Sequence, residues 1–357
     1  MPSSDRVRTP RLRVLANGAI LAGAVSAEVI STNHYGADRF RVRAVLNGDP
    51  ANGAAFWAAS DQIDMDVQVG FDGEFTSLVQ GSVDSVSIDP VGGTVELEGR
   101  DFTASLIEAR THESFTNQTA SEIANVLAER HGLVGDVQTT TMPVGRYWQI
   151  EHDRITLDQF SRATTEWDLL VGLAARESFD VWVTGHTLHF RAPTATVPAQ
   201  AVLRAACTTN GPANIAALHL RRALTLARDI EVVVKSWNSR AGQSFTETAR
   251  ATRSRRGSGK VGTGQRYNFI VPDLLPDAAL QLAQRKLAEL SRHERVINIE
   301  MPGELFLDPR MMCSLEGSGT AFDQDYWIDE ITRSIDQHDG FRQFVTARNI
   351  SPGVGVS

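Results

Sequence analysis

Along the first third of the chain, hydrophobic and polar residues alternate in short runs, and each run ends at a turn signal. The clearest is Arg39-Phe40-Arg41-Val42-Arg43-Ala44-Val45-Leu46, with apolar side chains at every second position, followed by Asn47-Gly48-Asp49-Pro50. A period of two puts those side chains on one face of a strand. Runs at 28–31, 62–69, 76–81, 83–88 and 94–97 behave likewise, with Asp72-Gly73 and Gly92-Gly93 as turns. This is the spacing of an all-β barrel or sandwich, and no long helix fits before Arg110.

The same order of elements returns near the end. A strand closing in Gly (Arg39 to Gly48), a second strand closing in Gly (Met65 to Gly70), a hydrophobic-Asp-x-hydrophobic strand (Val83-Asp84-Ser85-Val86) and a closing strand (Gly93 to Asp101) are matched by Glu294 to Gly303, Met312 to Gly317, Ile328-Asp329-Glu330-Ile331 and Gly340 to Asn349. The pattern reads as a duplicated β-module. A subunit with two similar domains presents doubled symmetry on association, so that three copies offer six similar faces.

Between the copies the period lengthens. Thr119-Ala120-Ser121-Glu122 has capping-box form, with Ile123, Val126 and Leu127 at helical spacing and Gly132 as a stop. A second helix is expected through Leu157, Phe160 and Ala163, and a third opens at Thr165-Glu166-Trp167-Asp168. Phe179 to Phe190 alternates around Thr184-Gly185 as a hairpin should. Residues 191–198 read as a linker, strands resume at 217–220 and 229–237, and an amphipathic helix is expected from Pro276 to Ser291 with Leu280, Ala283, Leu287 and Leu290 on one face. The expected fold class is α+β, mainly β: two similar β-barrel modules (1–112 and 199–350) flanking a small α+β domain (113–198), with a frayed tail at 351–357.

With 357 residues the chain is too long for one ordinary core. Its formal net charge of −8 argues against a general nucleic-acid binder, because phosphate neutralisation needs a basic surface. Cys207 and Cys313 are too few for a disulfide framework or a cysteine-rich zinc site and are expected to be free and buried. The start of the chain has no apolar signal region and no run is long enough to span a membrane, so membrane insertion is not expected and the chain should begin in the cytoplasm.

Candidate chemistry is sparse. Gly257-Ser258-Gly259-Lys260-Val261-Gly262 matches G-x-G-x-x-G, but a dinucleotide site needs a strand before it and a helix after it. Here Arg253-Ser254-Arg255-Arg256 precedes and Thr263-Gly264-Gln265-Arg266-Tyr267 follows, so the segment reads as a basic loop. Its functional version is a contact loop carried by Arg253, Arg255, Arg256, Lys260 and Arg266, for an acidic neighbour or passing nucleic acid. Glu151-His152-Asp153 offers acid/base groups, but adjacent residues rarely converge on one point. His186 and His189 should face opposite sides of a strand, and Asp64/Asp66 and Asp323/Asp325 read as solvated turn carboxylates rather than a cation site. No G-x-S-x-G, H-E-x-x-H or C-x-x-C occurs, so no catalytic residue, cofactor or metal ligand is assigned. Of Trp57, Trp148, Trp167, Trp182, Trp237 and Trp327, most should be core, and one or two exposed at a rim would serve as interface anchors.

Residues 117–124, the helix end Arg130-His131-Gly132-Leu133, Gln159-Phe160-Ser161-Arg162 and Thr165-Glu166-Trp167-Asp168-Leu169-Leu170 resemble the phage late control protein D family. The match continues through 173–183 and Leu188-His189-Phe190, and Gly99-Arg100-Asp101-Phe102-Thr103-Ala104 looks like the same family's strand-to-helix junction. The resemblance covers nearly the whole chain, with its most specific part at 95–192. One departure is Ser178, where the family commonly has Gly.

That family is similar to the baseplate hubs of T-even and Mu-like phages and to the hub part of type VI secretion spike proteins. The resemblance implies a non-enzymatic hub: a homotrimeric ring with a pseudo-sixfold collar that joins a hexameric tail tube to a trimeric spike around a central channel. The implied partners are the tail tube protein, a central spike protein on a separate polypeptide and other baseplate proteins, without specific nucleic-acid binding although DNA passes. The implied place is the virion tail baseplate, after assembly in the host cytoplasm. The mean negative charge would keep DNA from sticking to the channel. The alternatives are a tail-associated peptidoglycan hydrolase, which needs paired carboxylates or a nucleophile and base in a cleft, and a carbohydrate-binding module, which needs exposed aromatics in a groove.

Overall fold

The alternation of the first module becomes an antiparallel sheet in a computed structural model, which describes residues 9–46, 52–110, 115, 117–141, 143–144, 146–147, 154–155, 165–193, 201–205, 213–224, 230–238, 243–251, 265–271, 274, 276–291 and 294–349. Its elements are β1 (Arg11–Ala16), β2 (Ala19–Ile20), β3 (Ala24–Thr32), β4 (Arg39–Val45), α1 (Ala54–Ala59), β5 (Asp64–Phe71), β6 (Glu74–Asp89) and β7 (Thr94–Asp101). The strands lie in the order β3-β4-β7-β6-β5-β1. Phe40, Val42 and Ala44 point inward, as their spacing requires, and join Val14, Val67, Val69, Val95 and Leu97 in one core. Trp57 completes it, its indole N–H donating to Asn52 Oδ1 at 2.8 Å, so that the buried polar end is satisfied.

The sequence suggests two strands at 76–81 and 83–88, whereas the structure has one, β6. Its register against β7 shifts between Val83 and Ser85, so a bulge takes the place of a turn. Gly81 is required there by close approach: a Cβ would come within 1.9 Å of the Arg100 carbonyl oxygen.

The middle segment holds α2 (Thr103–Glu108), α3 (Ala120–Arg130), β8 (Val134–Val137), β9 (Arg146–Tyr147), β10 (Arg154–Ile155), α4 (Glu166–Glu177), β11 (Asp180–Thr184) and β12 (Thr187–Arg191). The capping box on α3 forms in both directions, and the helix ends with Gly132 at φ 67° and the Leu133 N–H bonded to Ala128 O at 2.8 Å. Thr165 caps α4 by accepting the Asp168 N–H at 3.0 Å, and α4 ends at Ser178 with φ 61°, ψ 36°. That left-handed conformation is the physical reason a glycine suits the position. The β11–β12 hairpin turns at Gly185-His186, one residue later than its alternation suggests, because Thr184 pairs with Thr187. β8 runs parallel to β12, and Leu127, Leu170, Leu173, Leu188 and Phe190 fill the core beneath α3 and α4. The expected helix through Leu157, Phe160 and Ala163 lies outside the described residues, as does most of the linker.

The second module consists of β13 (Ala201–Arg204), β14 (Ala217–Arg222), an insertion of β15 (Ile230–Asn238), β16 (Gln243–Ala251), β17 (Gln265–Ile270) and α5 (Pro276–Ser291), then β18 (Arg295–Pro302), β19 (Met312–Glu316), β20 (Asp325–Asp336) and β21 (Gly340–Asn349). Leaving out the insertion, the order is β14-β18-β21-β20-β19-β13, which repeats the first module strand for strand. One direction differs between them: β1 runs antiparallel to β5, and β13 parallel to β19. The inserted strands form their own sheet, β16-β15-β17, covered on one face by α5. Of the expected face of α5, Ala283 and Leu287 are buried and Leu290 packs beside them, while Ala279 takes the place of Leu280, small residues at i and i+4 allowing a close approach to Val232, Val234 and Ala249.

The fold is thus α+β and mainly β, with a duplicated strand order; closure of either sheet into a barrel is not among the described pairings. By compactness the chain divides into one unit of residues 1–197, 302–309 and 330–343 and another of 198–301, 310–329 and 344–357. Within the first unit, Glu330–Ile335 of β20 pair antiparallel with β3. Among the described residues no helix is long and apolar enough to cross a membrane.

Candidate functional site

The inserted sheet has one face under α5 and one turned away from it. Because cross-strand partners share a face, the register places Glu231, Val233, Lys235 and Trp237 of β15 with Arg250, Thr248 and Thr246 of β16 and with Arg266, Asn268 and Ile270 of β17 on the second face. Glu231 sits between two arginines: Arg250 Nη2 at 2.6 Å and Arg266 Nε at 3.4 Å. Val233 on this face is buried, whereas Lys235, Arg250, Arg266, Asn268 and Ile270 are exposed and Trp237 is 56% exposed. Trp237 is thus the rim aromatic, while Trp57 and Trp167 are core. The sequence around this sheet is basic, with eleven Lys and Arg against three acids between 221 and 266. Of the candidate contact residues, Arg266 is placed on β17, while Arg253, Arg255, Arg256 and Lys260 lie outside the described residues. Residue-by-residue reading missed the sheet face on which Arg266 stands. The signal was available in the alternation of β15.

The first module carries the opposite sign. Residues 61–99 hold nine Asp and Glu and no Lys or Arg. On the outward face of β5 and β6, Asp64 accepts from Ser82 at 2.7 Å, and Asp66 from Ser77 at 2.6 Å, Gln68 at 2.6 Å and Gln80 at 3.2 Å. These partners are uncharged, and the cation of the network, Arg13 of β1, donates to Gln68 Oε1 at 2.6 Å rather than to a carboxylate. The pair is a fixed patch on strands rather than two free turn residues. Asp323 does sit in a turn, accepting the Ser318 and Gly319 N–H groups. Among the described residues no group of three or more His, Cys, Asp or Glu could hold a metal ion.

A depression of about 280 Å³ lies against β3, β4, β6 and β7 and is lined by Glu28, Arg39, Arg41, Asp84, Glu98 and Arg100 among others. Its charges are mutually engaged: Arg41 bonds Glu98, and Arg100 bonds Asp84 at 2.6 and 2.8 Å and also Glu108. The hydrogen bonds to Asp84 and Glu108 raise the Arg100 pKa, which makes it a permanent cation. The second module repeats the pair, Arg348 Nε lying 2.8 Å from Asp329 Oδ1, at the same places on β21 and β20.

Other titratable groups are held apart. His189 Nδ1 lies 2.8 Å from Asp136, whose carboxyl is lowered chiefly by that bond, and its ring stacks on Trp182 at 4.7 Å. His186 instead lies in the hairpin turn against Phe102, 4.3 Å between ring centres, so the two histidines share no ligand position. Burial pushes the Asp101 carboxyl up to about 7, with Asp38 adding repulsion, and pushes the Cys313 thiol up to about 12, which leaves it a protonated, inert core group. Cys207 and Glu151-His152-Asp153 lie outside the described residues.

The sequence matches no protein-family model and no curated protein. The structure is similar to that of a tail protein from Neisseria meningitidis (TM-score 0.69, 16% identity, covering 97% of this chain and 99% of that one). It is similar also to the 43 kDa tail protein of prophage MuSo2 from Shewanella oneidensis (TM-score 0.67, 16% identity, 95% and 98% covered). A third is an Escherichia coli component of the type VI secretion system, described as similar to T4 bacteriophage tail proteins (TM-score 0.54, 10% identity, 94% and 76% covered). Two runs of strands in one order, matched over nearly the full length of the two tail proteins, give this chain their fold, which a type VI secretion component shares over 76% of its length.

Proposed function

We propose that the chain is a structural protein of a phage-type tail: a baseplate hub that forms a homotrimeric ring, adapts a hexameric tail tube to a trimeric spike and encloses the channel between them. The observation that carries this reading is the strand-for-strand doubling of a module within a chain that matches tail proteins end to end. A trimer of doubled modules offers six similar faces to one neighbour while keeping threefold symmetry for the other. Its partners on this reading are the tail tube protein, the central spike protein and other baseplate proteins, and its place is the virion tail baseplate after assembly in the host cytoplasm. Recognition is through surfaces, and the ion pairs described above hold strands in register.

The test is the mass of the purified chain by light scattering, with negative-stain images of the same peak. The expected result is a particle of about 117 kDa, three times 39.0 kDa, with a central hole. A chain that stays single even with neighbouring tail proteins added overturns the reading, and a clear zone on a peptidoglycan zymogram would then support a tail-associated hydrolase.

A further inference from the structure

The formal net charge of −8 hides two regions of opposite sign. The inserted β15–β17 sheet lies in a stretch with eleven cations against three acids, and residues 61–99, which run from β5 into β7 and stop short of Arg100, hold nine acids without Lys or Arg. Among the described residues, part of each region's charge stands on an outward sheet face. Arg250 and Arg266 flank Glu231 toward one end of the first, with Lys235 and Trp237 toward the other end, and Asp64 and Asp66 stand on the second, where Arg13 of β1 donates to Gln68, with the exposed Asp61, Asp72 and Glu74 on the flanking turns. Part of each face is held by cross-strand bonds, Glu231 between two arginines and Asp66 among Ser77, Gln68 and Gln80. Preorganised charges lose little entropy on docking and choose a partner by sign and register.

We infer that the outer face of the β15–β17 sheet docks on the outer face of β5 and β6 of a second copy of this chain. The contact uses two different patches, so it is heterologous, and such contacts close into a ring when the rotation allows. This rests on the ring reading and names the surfaces that make the ring. Trp237, near the end of β15 and two residues from Lys235, supplies an exposed aromatic anchor of the residue type that carries a large share of interface energy. The complementarity also excludes a symmetric contact, since either face against itself sets like charges together.

The experiment measures assembly of the full chain by light scattering across a concentration series, at about 50 mM and 500 mM salt, below and above the range in which charges at contact distance are screened. The dissociation constant is expected to rise at least tenfold at the higher salt. It is expected to rise by a similar factor at low salt in Lys235→Glu/Arg250→Glu and in Asp61→Lys/Asp64→Lys, each checked for an unchanged thermal melt. A chain carrying all four substitutions is expected to assemble with itself again and not with the unmodified chain. If the reversed variants keep the unmodified oligomeric mass, or the fourfold variant fails to recover it while melting normally, the inference is overturned and the ring must be held by other faces. An unmodified chain that is single at low salt overturns the inference as well, and the ring reading is then judged with the neighbouring tail proteins added.

Discussion

The two β-modules share a strand order and an ion pair, and they differ in how deeply that pair is set. In the first module the Arg100 and Asp84 side chains are 28% and 40% exposed; in the second, the equivalent Arg348 and Asp329 are 15% and 8% exposed. The ends of the closing strands differ too. β7 ends in Asp101, whose N–H bonds the Asp38 carbonyl at 2.9 Å and whose own carboxyl is buried near the Asp38 charge. β21 ends in Asn349, which accepts the Arg295 N–H at 2.9 Å, and the buried acid beside it, Glu294, is paired with Arg222 at 3.0 Å. The connection after β3 is the short stretch 33–38, whereas the one after β14 spans 223–294 and carries a whole extra sheet. Duplication kept the hairpins that set the sheet and let the loops and the buried charges diverge.

The largest effect expected from this divergence is at Asp329. Removing one partner of a buried pair leaves the other charge without compensation, which costs about 3–5 kcal/mol. Asp329→Ala is therefore expected to lower the urea midpoint of unfolding sharply, with Arg348 left nearly enclosed. The lone-pair geometry does not soften this, because at 2.8 Å the contact lies off the donor axis and works through charge rather than as a linear hydrogen bond. A loss below about 1 kcal/mol would mean that the two pairs are energetically alike despite their burial.

Asp101→Asn transplants the second module's solution into the first. A buried carboxyl whose folded pKa is about 7, against an ordinary 3.8, binds its proton more tightly folded than unfolded. Its contribution to stability is therefore complete below about pH 4 and is lost as pH rises through 7, a change on the order of 2–4 kcal/mol. Asp38 is the charge that adds to this shift, and Asp38 also attracts the buried Arg333 guanidinium, so ionisation of Asp101 acts on a site already balanced. The unmodified protein should be less stable at pH 8 than at pH 4.5. The variant, whose Oδ1 still accepts the Thr103 N–H as Asp101 does at 3.1 Å, should lose most of that difference. Equal pH slopes in the two proteins would show that Asp101 is ionised at neutral pH.

Much of this architecture is legible in the chain. The Gly-closed strands, the Ile328-Asp329 and Val83-Asp84 echo, the capping box at Thr119 and the helix at Pro276–Ser291 all rest on local patterns that the structure keeps. What local pattern does not carry is pairing. Nothing between Gln80 and Ser85 distinguishes a turn from a bulge, because that depends on the close approach of the Arg100 backbone at Gly81. The charged faces needed the register too, since Glu231, Arg250 and Arg266 are neighbours only across strands. Ser178 shows local pattern at its most exact, a departure from glycine at a left-handed helix end. Ser178→Gly, in the segment that has no counterpart in the duplication, calibrates the scale of a single backbone effect: a gain of about 1 kcal/mol in unfolding free energy. No gain would mean that contacts of the Ser178 side chain offset the strain.

The smallest effect, and the one that completes the comparison, is expected at Asp84. Its partner Arg100 also bonds Glu108 and reaches solvent, so Asp84→Ala removes one of two acceptors from a cation that water can still hydrate. Pairs of this exposure are worth about 0–1 kcal/mol, and salt should diminish the loss further. If Asp84→Ala costs as much as Asp329→Ala, the bulge at Val83/Ser85 rather than burial is what the aspartate secures, because both residues stand at the matching point of their strands. A double substitution with Arg100→Ala separates the two cases: a coupling energy near zero assigns the cost to the strand, and one near the single loss assigns it to the ion pair.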